Sequence, residues 1–403
     1  MALFTFHKSK RLPRLIVTDL DGTLLTPQYT ISPRSIDALL FAQSFSGYSI
    51  DPAPVQDPLL DPIRSGEDAL NSSGNHHPIQ IMIASGRSPR SVQKVIDLFQ
   101  GCMIPDAVIC CNGALNYNPK TKVISYPQFI PLDQAIFMIQ EMRTEICHHG
   151  TRNSRIPTSN SPLEQDSGPQ DLTPLPAQEG QDETDPFMAG RPGFSCEVIW
   201  FEGVSPSGEP IYAQDTSFVC DRTWELHRKS YIYYDYSVVE DTMEAFLQSL
   251  QQAALSGTGR SGGVIKIMAL DRNRSAPELY ESLPETLRPT STSSVTTTTT
   301  IVSTATAISP AVSVTYSGKY FLEIAAAGVN KGLGLAKYCE AHTIPREEVV
   351  AFGDLLNDAE MLQFAGLGLC MGNGHEEMKK LADRVIGTNA EDGVAQEIES
   401  WFV

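Results

Sequence analysis

No stretch of the chain approaches the roughly 20 consecutive apolar residues that a membrane-spanning helix needs. The longest weakly apolar run, Thr300 to Val314, contains Pro310 and many Ser and Thr. Residues 1–13 place their apolar part before their basic part and carry no secretory h-region of adequate length, so export is not expected. Basic residues are scarce: 30 Lys and Arg against 48 Asp and Glu leave a formal charge of −18, with a pI near 4.8. That balance excludes a general nucleic-acid binder, which needs cations to replace counterions on phosphates. A small anionic substrate would then require a local metal and local basic side chains. CxxC pairs are absent as well. The eight cysteines, including the adjacent Cys110 and Cys111, form no regular framework and read as buried free thiols of a reducing compartment. The expectation is a soluble, cytosolic protein, with mitochondrial import of the slightly basic N-terminus as the lesser alternative.

What the chain has is enough apolar material, 41% of 403 residues, for two domains with irregular insertions. It is organised around residues 14–25, Arg-Leu-Ile-Val-Thr-Asp-Leu-Asp-Gly-Thr-Leu-Leu. Leu15, Ile16 and Val17 suit a strand buried on both faces, and the run ends in two carboxylates, Asp19 and Asp21. Side chains alternate along a strand, so this spacing is expected to aim both acids the same way, at the strand end where open α/β sheets bind ligands. Taken alone, such a pair could equally be a helix cap beside a turn residue.

The same pattern of strand, polar turn and helix recurs. Ser32-Pro33-Arg34-Ser35 starts a helix carrying Ile36, Leu39 and Leu40. Ile79 to Ala84 reads as a strand ending in Ser85-Gly86-Arg87-Ser88-Pro89, where Ser88 is an N-cap and Pro89 the first helical residue. Val92, Val95, Ile96 and Phe99 then line one helix face. Ala107 to Cys111 gives a third strand before Asn112-Gly113-Ala114. Near the C-terminus, Tyr320 to Ile324 leads to Gly328-Val329-Asn330-Lys331-Gly332 and a helix to about His342. Val349 to Phe352 leads to Gly353-Asp354-Leu355-Leu356-Asn357-Asp358 and a helix closed by Gly366 at C′. Gly368 to Met371 and Arg384 to Ile386 are two further strands.

Between these parts the pattern changes to alternating runs, Lys122 to Tyr126, Cys196 to Phe201, Tyr231 to Tyr236 and Val264 to Leu270, with an amphipathic stretch from Leu132 to Met142. This predicts an inserted α+β domain at 115–315, splitting an α/β core of 1–114 and 316–403 with a parallel sheet. Residues 46–78, 150–193 and 290–308, the last with five threonines at Thr296 to Thr300, lack periodicity and read as irregular insertions.

Asp-Leu-Asp-Gly-Thr-Leu-Leu resembles the first motif of the haloacid dehalogenase superfamily of phosphohydrolases. Ser85, Lys331 and Gly353-Asp354-x-x-Asn357-Asp358 resemble its second, third and fourth motifs, in order. The turns at 85–87 and 112–114, the tail Ala365 to Gly374 and Asp392-Gly393-Val394 resemble the Cof-type members, whose class IIB cap is inserted between the second and third motifs. The likeness covers about residues 14–45, 79–145 and 316–400. Leu355 after Gly-Asp, and Ala325-Ala326-Ala327 where a Pro is common, depart from the pattern without removing a reacting group.

The resemblance implies a Rossmann-like core with an α+β cap, and a Mg²⁺-dependent phosphatase of small phosphomonoesters such as sugar phosphates. Asp19 would be the nucleophile that forms an aspartyl-phosphate and Asp21 the acid and then the base. Thr23 would orient Asp21 and its loop. Ser85, with Gly86, Arg87, Asn112 and Gly113 near it, would hold the phosphoryl group with Lys331 and Asn357. Asp19, the backbone carbonyl of Asp21 and Asp354 would hold Mg²⁺, with Asp358 behind them. A phosphomutase of the same superfamily is the enzymatic alternative. An inactive phosphate-binding regulatory protein is the alternative from another class, and the intact set of reacting groups argues against it. The partner expected is a small phosphorylated metabolite, with no nucleic acid and no membrane.

Overall fold

Leu15, Ile16 and Val17 retain no solvent exposure, and with Thr18 and Asp19 they form β1 (Leu15–Asp19) in the computed structural model of the protein. The structure describes residues 12–44, 46–47, 77–150, 191–227, 237–238, 242–271, 273–283, 312–316 and 320–402. Two compact units divide the chain: Met1–Ala84, Val95–Val108 and Leu335–Val403 form the first, and Ser85–Lys94 with Ile109–Gly334 the second.

In the first unit β1 is the central strand. It pairs in parallel with β4 (Gln80–Ala84) on one side and β15 (Val349–Gly353) on the other. β16 (Leu367–Cys370) and β17 (Arg384–Val385) continue the parallel sheet beyond β15, and β5 (Ala107–Cys110) lies beyond β4. A parallel sheet needs helical crossovers and cover on both faces, which is why its strands are continuous apolar runs. The helices are α1 (Pro33–Ser44), α8 (Ala359–Phe364), α9 (Glu376–Leu381), α10 (Gly393–Ser400) and most of α7 (Lys331–Ala341). The Ser32 hydroxyl accepts from the Ser35 N–H and caps α1, as its sequence suggests. A two-residue pairing of β2 (Ser46–Gly47) with β3 (His77–Pro78) flanks the segment leading to β4.

The second unit is built differently, around an antiparallel sheet ordered β11 (Ser237–Val238), β10 (Ser217–Cys220), β8 (Gly193–Val204), β12 (Gly262–Leu270), β14 (Phe321–Ala326) and β13 (Val312–Thr315). Only β10 and β11 run parallel, and β9 (Pro210–Tyr212) pairs with the end of β8. α3 (Leu132–Gly150) and α5 (Met243–Ser256) cover one face: Ala135, Met138, Ile139 and Met142 meet Met243, Leu247 and Leu250 over Cys196, Val198, Ile267 and Ala269. Each of the fully buried Met, Ile, Val and Leu side chains contributes roughly 1.5–3 kcal/mol of transfer free energy. The unit also contains α2 (Pro89–Ile96) up to Lys94, the hairpin β6 (Leu115–Asn118) and β7 (Val123–Ser125), α4 (Arg222–His227) and α6 (Ala276–Glu281).

The α/β class and the mainly parallel core sheet follow the sequence reading, and an additional sheet stands where an inserted α+β region is expected. Tyr231 to Tyr236, most of 46–78, all but the ends of 150–193, and 290–308 lie outside the described residues. Gly366 differs in its reason: it follows α8 without a left-handed backbone, and a Cβ there would stand 2.7 Å from Glu347 Cα, so close backbone approach selects glycine. Among the described residues seven cysteines are free, six of them buried. Burial pushes the Cys339 thiol up to about 12 and the Cys370 thiol up to about 11. No described helix is long and apolar enough to cross a membrane.

Candidate active site

β1 and β15 lie side by side with Thr18 opposite Phe352, so their C-terminal ends deliver Asp19 and Asp354 to the same edge of the sheet. Asp19 is 6% exposed, Asp354 5% and Asp358 0%. One carboxylate oxygen from each lies within 4.8 Å of the others. Buried carboxylates this close repel one another unless a cation or protons lie among them. A small set of hard, charged oxygen donors suits a divalent cation of the Mg²⁺ class.

The surroundings hold these acids in place. Asp358 Oδ2 accepts the main-chain N–H groups of Asp354 (3.0 Å) and Leu355 (3.1 Å), which ties the turn after β15 to its own third acid. The Thr23 hydroxyl donates to Asp354 Oδ1 at 2.9 Å, so this side chain orients Asp354. Gly22 has φ +87°, and a Cβ there would stand 2.2 Å from Asp354 Oδ2. Only glycine accepts both the left-handed backbone and that approach.

Asp21 needs a correction to the strand argument. The strand ends at Asp19, and Asp21 (φ −79°, ψ 111°) belongs to the turn that follows, so alternation along a strand does not set its direction. It is half-buried, as is Asn357 in the short 3₁₀ turn Leu356–Asp358. Two residues to which sequence reasoning gave no role brace this loop. Asn373 Nδ2 donates to the Gly22 carbonyl at 2.8 Å, and Asn389 joins Asn373 Oδ1 to the Leu25 carbonyl through bonds of 2.9 and 2.8 Å. Asn373 stands within the Cof-like tail, so its position was visible although its task was not.

The second unit gathers Ser85, Gly86, Arg87 and Asn112. The Ser85 N–H donates to the Ile109 carbonyl (2.8 Å), the Ser85 carbonyl accepts from the Asn112 N–H (3.0 Å), and the Arg87 carbonyl accepts from the Cys111 N–H (2.9 Å). The Arg87 N–H returns to Ser85 Oγ at 3.2 Å. Cys111, Asn112 and Gly113 all have positive φ, of 50°, 53° and 101°, and a Cβ on Gly113 would fall 1.9 Å from the Asn330 carbonyl oxygen. The start of α7 thus abuts this turn. Asn330 Oδ1 caps it by accepting the Leu333 N–H at 2.8 Å, and Lys331, the first helical residue, is only 1% exposed. A buried ammonium is kept only beside oxygen acceptors.

A family model described as haloacid dehalogenase-like hydrolase matches residues 68–171 and 229–398, more than half of the chain. The match begins after the 14–25 motif. The pyridoxal phosphate phosphatase YbhA of Escherichia coli (strain K12) is 24% identical over 394 residues, spanning 97% of this chain and 99% of that protein. The 5-amino-6-(5-phospho-D-ribitylamino)uracil phosphatase YitU of Bacillus subtilis (strain 168) is 47% identical over 83 residues, which are 21% of this chain and 31% of that relative. A solved sugar phosphatase of haloacid dehalogenase subclass IIB has the same fold, with a TM-score of 0.52 at 17% identity over 96% of this chain and 99% of its own. With its parallel core sheet, its second sheet and this matched sequence, the chain belongs to the haloacid dehalogenase-like hydrolases.

Proposed function

We propose that the protein is a Mg²⁺-dependent phosphatase of small phosphomonoesters, sugar phosphates being the leading class, working through an aspartyl-phosphate. The observation that carries this reading is the buried cluster of Asp19, Asp354 and Asp358. Relatives named for phosphorylated small molecules, and a fold shared with a sugar phosphatase, support the substrate class. The negative charge and lack of basic excess argue against nucleic acid or an anionic membrane surface as partner, and we read the partner as a small phosphorylated metabolite in the cytoplasm. We assign 1–114 and 316–403 to the catalytic core and 115–315 to the cap, except that β14 (Phe321–Ala326), expected in the core, pairs with β12 and β13 and belongs with the antiparallel sheet.

In the proposed reaction the Asp19 carboxylate attacks phosphorus as the bond to the ester oxygen breaks, and the Asp21 carboxyl donates its proton to that oxygen. The Asp21 carboxylate then takes a proton from water, whose oxygen attacks the phosphoryl group and releases Asp19 and phosphate. Ser85, Lys331, Asn357 and the main chain at Gly86, Arg87 and Asn112 are the groups we assign to the phosphoryl oxygens, and Thr23 supports the loop. Asp19, the Asp21 carbonyl and Asp354 would hold Mg²⁺, with Asp358 behind them; when bound, the ion offsets phosphate charge.

The test is hydrolysis of an aryl phosphate by the purified chain, with and without EDTA and with Mg²⁺ added back, beside the nearly isosteric Asp19→Asn variant. We expect EDTA-sensitive phosphate release by the wild type and none by folded Asp19→Asn. Wild-type-like release by that variant would sink the assignment; with a sugar phosphate as substrate instead, an isomerised sugar phosphate in place of free phosphate would point to a mutase.

A further inference from the structure

Three buried charges run across the antiparallel sheet of the second unit. Glu197 on β8 is 2% exposed, Lys266 on β12 5% and Glu323 on β14 6%. Lys266 stands opposite Glu197, and Glu323 stands opposite Met268, two residues along β12, so all three project from the same face. Ile267 and Ala269 project from the other face, into the core under α3 and α5. Charges at such positions cost desolvation without adding apolar burial, and a sheet keeps them only when they are paired and bonded.

Two of them, Lys266 and Glu323, are bonded to the turns that carry Ser85 and Asn112. The Lys266 ammonium forms an ion pair with Glu323 Oε1 and donates to the Gly86 carbonyl at 3.1 Å. Glu323 Oε2 accepts from Asn112 Nδ2 at 3.3 Å. The Gly86–Arg87 peptide is therefore engaged at both ends: its carbonyl by Lys266, and its N–H, that of Arg87, by Ser85 Oγ. Hydrogen bonds in such a chain polarise one another. A positive charge on the carbonyl makes the N–H a stronger donor. Because Ser85 Oγ accepts that bond, its own O–H becomes a stronger donor. The facing turn, with consecutive left-handed residues at Cys111 and Asn112, stores strain of roughly 1–3 kcal/mol per residue and persists only where neighbours over-determine it. Glu323 supplies one of those restraints.

We propose that Lys266 and Glu323 are positioning residues of the reaction: Lys266 orients and polarises the Gly86–Arg87 peptide and so sets the Ser85 hydroxyl as a donor to the phosphoryl group, while Glu323 holds Lys266 and fixes the Asn112 amide. This rests on the assignment of Ser85 to the phosphoryl group made above. Glu197 completes the row. Burial pushes its carboxyl up, while Thr216, Arg90, Lys266 and Ser88 pull it down.

The experiment is a double-mutant cycle between Lys266→Met and Ser85→Ala. It is read by kcat and KM for p-nitrophenyl phosphate and by the inhibition constant of inorganic phosphate, with circular dichroism as the check on folding. Lys266→Met alone should lower kcat/KM about 10- to 100-fold, the scale of a hydrogen bond to a charged group, and weaken phosphate inhibition. In the Ser85→Ala background the same substitution should cost less than about 3-fold, because the relay ends at a hydroxyl that is already gone. Losses that multiply in the double variant would overturn the relay and leave the phosphatase reading intact. If Lys266→Met does not fold, Glu323→Gln is taken through the same cycle, and failure of both to fold makes the pair purely structural and overturns the proposal. A wild type inert toward phosphomonoesters would remove the phosphatase reading itself, and the relay with it.

Discussion

Thr23 donates its hydroxyl hydrogen to Asp354 Oδ1 at 2.9 Å, joining two side chains 331 positions apart in the sequence. The first and fourth motifs are thereby made one structure: the loop after the strand of Asp19 orients the acid at the end of the neighbouring strand. Thr23→Val keeps the shape and removes the donor. Groups that orient a metal-holding carboxylate typically matter by about 10- to 100-fold. We expect the Mg²⁺ concentration for half-maximal activity of Thr23→Val to rise about 10-fold at nearly unchanged melting temperature, and an unchanged Mg²⁺ titration would show that the bond does not hold Asp354 for the cation.

Gly22 and Gly208 offer a matched pair. Their φ values are +87° and +89°, so alanine meets the same backbone strain at both, of roughly 1 kcal/mol. Around Gly208 nothing lies within 4 Å of the new Cβ, whereas at Gly22 it arrives 2.2 Å from Asp354 Oδ2. Gly208→Ala should lose a little stability and keep its activity. Gly22→Ala should lose a similar amount of stability and at least about 100-fold in activity, because the acid must move. Equal activities of the two variants would remove the loop from the chemistry.

A third expectation concerns pH. Burial raises the Asp221 carboxyl from its ordinary value to about 6, against the pull of Arg143 at 2.6 Å and of the N–H groups of Trp224 and Phe194. The folded state therefore holds this proton more tightly than the unfolded state. The stabilisation is complete below about pH 4, the unfolded value, and is lost as pH rises through about 6; two units correspond to roughly 3 kcal/mol. The melting temperature of the wild type relative to Asp221→Asn should fall between pH 4.5 and 7. A difference that rises instead would mean that the Arg143 ion pair outweighs burial.

Much of this architecture was legible because each part is local. Apolar runs ending in polar turns marked the parallel strands, Ser88-Pro89 and Asn330-Lys331 marked helix starts, and Asp19 and Asp354 after their apolar runs marked the acid cluster of the candidate site. The less legible residues act across the chain. Asn373 and Asn389 matter through carbonyls of the 22–25 loop, more than 340 positions away, and nothing in their own neighbourhood announces it. Lys266, Glu323 and Glu197 did leave a trace, a single charge inside Val-Ile-Lys-Ile-Met, Phe-Leu-Glu-Ile and Cys-Glu-Val-Ile. Alternation alone cannot say whether such a charge faces water or a buried partner. The pairing of β8, β12 and β14 decides it.

The position of Asp21 in the turn beyond β1, half-buried, makes its role a question of proton transfer, and the leaving group can expose it. A sugar alkoxide leaves poorly unless protonated, whereas nitrophenolate leaves readily without help. Asp21→Asn should therefore damage the first step more for a sugar phosphate than for p-nitrophenyl phosphate. The second step differs, because hydrolysis of the aspartyl-phosphate on Asp19 needs a base for water whatever ester supplied the phosphoryl group. The variant should release a burst of nitrophenol and then stall with phosphate held on Asp19. Rapid mixing measures the burst, and mass analysis after an acid quench measures the trapped phosphate. Equal first-step losses for both esters, with no trapped phosphoenzyme, would mean that the proton is delivered and removed by a group other than Asp21.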